Sequence, residues 1–134
     1  MTDLHCHILP AIDDGAKNAK VSMELLRMQN DAGVTDIVCT PHFNPDSQNL
    51  EDFIDKRYRS ARYLADHVFR SELPVRLKFG AEVRISPTIL DLDFLPLCFQ
   101  KTKVMLLEMP RTLRPQWDTN VIYQLTLGGV IPLI

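Results

Sequence analysis

Long apolar runs are missing from this sequence. No stretch reaches membrane-spanning length, and the N-terminus lacks the basic-then-apolar layout of a signal peptide. A cytoplasmic address and no membrane insertion are the expectation. An excess of one charge is missing too. The 15 Lys and Arg against 17 Asp and Glu leave a net charge of -2, which offers no bulk attraction to nucleic acid. Cysteine is sparse: Cys6, Cys39 and Cys98 are odd in number and widely spaced. They make neither a disulfide framework nor a CxxC zinc pattern, and read as small buried hydrophobes in a reducing compartment. There is no internal repeat, low-complexity segment or linker. What remains is 134 residues with 46% apolar content, enough for one domain over 1–134 with a real core.

The elements alternate. A first strand is expected over Asp3 to His7, then a loop with Pro10, Asp13, Asp14 and Gly15. A helix follows from Asn18 to Asp31, with Val21, Leu25, Met28 and Ala32 at helical spacing and Gly33 as its stop. A β-branched run, Thr35 to Thr40, ends at Pro41-His42. A long helix spans Leu50 to Phe69, its apolar face made of Leu50, Phe53, Ile54, Tyr58, Ala61, Leu64, Ala65 and Val68. Its Lys56, Arg57, Arg59, Arg62 and Arg70 read as a solvated basic face. Val75 to Val83 is a third strand. Ser86-Pro87 opens a short helix that ends before Pro96. Lys103 to Met109 is a fourth strand, apolar on both faces. A helix from Pro115 buries Trp117, Val121, Ile122 and Leu125 and stops at Gly128-Gly129. Val130 to Ile134 is a fifth strand. Such alternation predicts an α/β fold of about five parallel strands joined by crossover helices.

The chemistry collects at strand ends. His5 and His7 close the first strand, His42 the second, Glu82 the third and Glu108 the fourth. In a strand, residues two apart share a face, so His5 and His7 present their imidazoles side by side while Leu4 and Cys6 turn away. The C-terminal ends of parallel strands are where barrels and open α/β sheets build sites. Gly80, one pleat below Glu82, leaves room for a ligand. Taken singly, His42 reads as a turn residue, Glu82 as an ion-pair partner and Asp13-Asp14-Gly15 as a turn. Together they point to a common metal site of imidazole and carboxylate, a mixture that suits Mn, Fe or Zn. With a carboxylate from the acidic turn the candidates exceed what one ion needs, and two or three clustered ions suit phosphoester hydrolysis. Arg111 and Arg114 follow Glu108 in the loop that would rim such a site, either as phosphate partners or as plain surface arginines.

The motifs His5-Cys6-His7-Ile8-Leu9-Pro10 with Asp13-Asp14-Gly15, Thr40-Pro41-His42, Gly80-Ala81-Glu82 and the strand-end Glu108 resemble the PHP (polymerase and histidinol phosphatase) superfamily. More narrowly, they are similar to its bacterial manganese-dependent protein-tyrosine phosphatases of capsule and exopolysaccharide synthesis. The resemblance implies the N-terminal part of a distorted (β/α)7 barrel, since members of the family run to about twice this length. It implies His5, His7, Asp14, His42, Glu82 and Glu108 as metal ligands. The attacking group would be metal-activated water, with no catalytic side chain of the protein's own and no cysteinyl-phosphate. The implied substrate is phosphotyrosine on a bacterial tyrosine autokinase, and a homo-oligomer is left open. The alternatives are a PHP phosphoesterase for a small molecule such as histidinol phosphate, or an inactive metal-binding or interaction module.

Overall fold

The fold is known from a computed structural model that describes residues 1–111 and 115–134. The strands among the described residues are β1 (Thr2–Cys6), β2 (Asp36–Cys39), β3 (His42–Phe43), β4 (Arg76–Phe79), β5 (Glu82–Arg84), β6 (Val104–Glu108) and β7 (Ile131–Leu133). The helices are α1 (Ala19–Asp31), α2 (Leu50–Arg70) and α3 (Asp118–Leu127). Every strand pairing is parallel, in the orders β1-β2-β4 and β3-β5-β6-β7. The second and third expected strands are each broken in two. Pro41 has no N–H to give, and the His42 N–H turns instead to Asp13 Oδ2 at 3.0 Å. Main-chain bonds still cross the break, from Gly80 N–H to Cys39 O and from Glu82 N–H to Pro41 O, both 3.0 Å. The five expected strands therefore lie side by side in chain order. With no strand skipped and right-handed crossovers, the helices fall on one side, as in a sector of a barrel.

Two apolar layers lie between strands and helices. One packs Ile8, Leu9, Met23, Leu26, Ile37, Cys39 and Leu64 under α1 and α2. The other packs Phe43, Phe53, Val83, Ile89, Met105, Val121 and Leu125. A smaller cluster of Val38, Phe99 and Leu106 fills the other side of the strands. Asn49 caps α2 by accepting from the Asp52 N–H at 3.1 Å. Glu51 and Asp52 in its first turn, with His67 and Arg70 in its last, complement the helix dipole.

Several expected faces turn out otherwise. α1 buries Ala19, Ser22, Met23 and Leu26, while Leu25 and Met28 are exposed. The buried set has the same helical spacing as the expected one, and its polar member Ser22 is satisfied by donating to Asn18 O at 3.2 Å. Tyr58 and Ala65 on α2 are exposed, and Arg57 is drawn inward. Trp117 is exposed because α3 starts after it, three residues beyond Pro115. The short helix after Ser86 is two 3-10 turns, Pro87–Asp91 and Leu95–Leu97. The space over Gly80 is filled by Phe99, whose Cδ1 would lie 2.6 Å from an added Cβ. Gly80 thus serves close packing and leaves no room for a ligand.

Leu64 is fully buried between α2 and the strands. Leu64→Ala is expected to cost about 2–5 kcal/mol in urea unfolding, from lost burial plus the cavity left behind. A cost below about 1 kcal/mol would contradict this packing.

Candidate metal centre

The site is built where the strand ends meet. A register shift between Asp3 and Cys6 in β1 re-aims its end, and the His5 N–H is held by Asp3 Oδ1 at 3.0 Å. The Cys6 thiol points away and donates to Val38 O at 3.4 Å, so it takes no part. Between β1 and α1 the chain folds back beneath His7. The Ala16 N–H donates to His7 O at 3.0 Å, and at Gly15 a Cβ would sit 2.1 Å from that oxygen. Only glycine permits this approach.

Glu82 is the hub. Its Oε2 lies 3.1 Å from His5 Nε2, 3.0 Å from His7 Nε2 and 3.2 Å from His42 Nδ1. The residue is buried, and Oε2 accepts no hydrogen bond from any described residue. A buried carboxylate oxygen faced by three imidazole nitrogens without one good hydrogen bond is a costly arrangement by itself. A cation among these four groups removes the cost, and the donor set fits a transition-metal ion. Two overlapping groups have ligand atoms within 4.8 Å of one another: His5, His7 and Glu82, then His7, Asp14 and His42. They share His7, which fits more than one ion. Glu108, at the end of β6, brings Oε2 to 3.7 Å from His42 Nδ1. Asp14 Oδ1 lies 3.5 Å from His42 Nε2 and is largely exposed. All six residues singled out in the sequence thus face one place.

Two further groups matter that the motif reading passed over. Asp13 accepts from His7 Nδ1 at 2.9 Å and from the Gly15 and His42 N–H groups at 3.0 Å each. Burial pushes its carboxyl up, but those three bonds outweigh it and bring the pKa down to about 2. The bond to Asp13 also raises the His7 pKa above 6.5, against the opposing effect of burial. Asp13 therefore fixes the ring so that Nε2 faces Glu82, the role a carboxylate takes behind a metal-binding histidine. The signal was in the sequence, as a second carboxylate beside Asp14, but spacing alone does not say which one reaches the ring. The other group is Arg84, two residues past Glu82. With Arg111 it rims a cavity of about 270 Å³ that also touches Asp14, His42, Asn44 and Glu108. Arg114 lies outside the described residues.

These shifts fix signs. In protein stripped of metal, the His7–Asp13 pair contributes fully between pH 3.8 and 6.5, is lost as pH rises through the raised His7 value, and is lost as pH falls through the Asp13 value of about 2. Metal uptake runs the opposite way, because a ligating imidazole must be neutral. Metal affinity should fall as pH drops through that value. Asp13→Asn, which keeps an acceptor for Gly15, should lower affinity about 10–100-fold in an indicator competition titration. Unchanged affinity would contradict the role given to Asp13.

The tyrosine-protein phosphatase YwqE of Bacillus subtilis (strain 168) is 33% identical over 137 aligned positions, covering 100% of this chain and 53% of that protein. The putative tyrosine-protein phosphatase CapC of Staphylococcus aureus is 29% identical over 140 positions, covering 100% of this chain and 52% of that protein. The chain spans about half the length of the curated relatives it matches. Among solved structures, one from the work on YwqE from Bacillus subtilis and CpsB from Streptococcus pneumoniae, described as unique metal-dependent tyrosine phosphatases, matches with a TM-score of 0.87. It is 34% identical, covering 98% of this chain and 53% of that one. The family model for capsular polysaccharide synthesis, CpsB/CapC, matches residues 1–134, and the chain belongs to that family.

Proposed function

We propose that this chain supplies the metal-binding corner of a phosphoester hydrolase that acts on phosphotyrosine in protein. The observation that carries the reading is the buried Glu82 Oε2, met by His5, His7 and His42 at 3.0–3.2 Å and bonded by none of them. The names of the relatives support it.

On this reading His5, His7, Asp14, His42, Glu82 and Glu108 hold two or three ions, with Mn as the physiological metal. When bound, such ions polarise a phosphoryl oxygen and lower the pKa of water. The chain's own residues do the rest. Asp13 holds the His7 ring in one tautomer. Arg84 and Arg111 stand at the mouth, where guanidinium groups can fork around phosphate oxygens and orient the ester. Arg114, which follows closely in sequence, is proposed as a further phosphate partner. No thiol serves as nucleophile, since Cys6 faces Val38, and Cys39 and Cys98 are buried in apolar layers. The partner proposed is a bacterial tyrosine autokinase of capsule or exopolysaccharide synthesis. The proposed location is the cytoplasm. No described helix is long and apolar enough to cross a membrane.

In Mn²⁺ the protein is expected to hydrolyse a phosphotyrosine peptide in preference to histidinol phosphate, and to stop in excess EDTA. His7→Ala or Glu108→Ala should remove activity and at least one bound ion. Preference for histidinol phosphate would shift the reading to a small-molecule phosphoesterase. Bound metal without turnover would sink the enzyme reading, and wild-type turnover in either variant would overturn the ligand assignment.

A further inference from the structure

Arg57 occupies a core-face position of α2. It sits four residues from Phe53 and four from Ala61, both buried. Its Nη1 donates to Gly80 O at 2.7 Å and its Nη2 to Pro96 O at 2.9 Å, and the guanidinium lies 5.4 Å over the Phe53 ring. Among the described residues, two carbonyl dipoles and a ring face compensate the charge. No carboxylate among the described residues pairs with it, and burial pushes its pKa down without an acidic neighbour to raise it. A partly desolvated cation without a counter-ion is unfavourable, and an anion brought beside it meets little competing water.

Space for such an anion is present. The crossover from β5 to β6 is made of two 3-10 turns, and α2 runs beside it, with Arg57 reaching Pro96 O. A cavity of about 370 Å³ lies there, walled by Ile54, Ala61, Phe79 and Cys98 with Arg57 among them. Tyr58, Arg62, Ala65 and Gln100, all exposed, complete the lining. The size is that of a small-ligand pocket, and the pattern of apolar walls with a few converging polar groups is the usual one. Among the described residues, Arg57 and Arg62 are its only charged lining residues, so the cavity is complementary to an anion with an apolar body.

We propose that this cavity is a binding site for a small carboxylate with a flat or short apolar body, its carboxylate on Arg57 and Arg62 and its body against Ile54, Ala61 and Phe79. The site is separate from the metal centre and shares no candidate ligand with it. It stands whether or not the phosphatase reading does.

The probe is 2-naphthoate, with 2-naphthamide as its uncharged match, each followed by ¹H–¹⁵N NMR titration of the protein. Naphthoate should give saturable shifts at the amides of Ala61, Ala65, Phe79 and Gln100. Naphthamide should bind at least about tenfold more weakly, since one charge-assisted hydrogen bond is worth about 1.5–3 kcal/mol. Ala65→Trp, at an exposed position on the cavity wall, should block both. Equal binding of acid and amide would overturn the proposal. So would shifts confined to His5, His7 and His42, the absence of saturation, or undiminished binding in Ala65→Trp. The acid–amide comparison needs no change at Arg57, whose replacement would also cut the bonds to Gly80 and Pro96.

Discussion

A buried carboxylate that no described residue hydrogen-bonds is the constraint on which this structure turns. Glu82 Oε2 sits within 3.2 Å of three imidazole nitrogens. Without a cation, the fold would hold a desolvated oxygen among rings that do not satisfy it. Much of the local architecture serves this convergence. The register shift in β1 re-aims His5, the acidic turn locks His7, and the break at Pro41 frees the His42 N–H for Asp13. The apolar cluster of Val38, Phe99 and Leu106 fills the other side of the strands. A site that is unfavourable by itself is held by layers of ordinary packing around it, and a bound ion returns that stabilisation to the fold.

Asp13 shows how little of the arrangement is idle. One carboxylate binds the His7 ring, the Gly15 amide and the His42 amide, and so ties the first loop to two candidate ligands on different strands. Gly15 is the other half of this device, because any side chain there would strike His7 O. The loop and the strand ends therefore form one unit, and a change in the loop is felt at two rings.

The fold class and the convergence of the candidate ligands were legible in the sequence because both rest on period and place. Alternating strands and helices define a parallel arrangement, and a ligand at each strand's C-terminal end falls on the shared rim. What was not legible rests on tertiary choice. Two faces of α1 have helical spacing, and only packing selects the one with Ser22 and Met23 over the one with Leu25 and Met28. Asp13 and Asp14 are equivalent as residue types, and only the turn decides which carboxylate meets the ring and which stays exposed. Gly80 read as room for a ligand, but Phe99 comes from a distant loop to fill it. Arg57 read as one more charge on a solvated face, although its spacing from Phe53 and Ala61 placed it on the buried one.

The central claim is that Glu82 completes a metal centre with His5, His7 and His42. The most direct test is calorimetric titration of Mn²⁺ into the metal-stripped protein and into Glu82→Gln, which keeps the shape and removes the charge. The account predicts saturable binding in the native protein and the loss of at least one ion in the variant. Equal stoichiometry and affinity in the two proteins would contradict it.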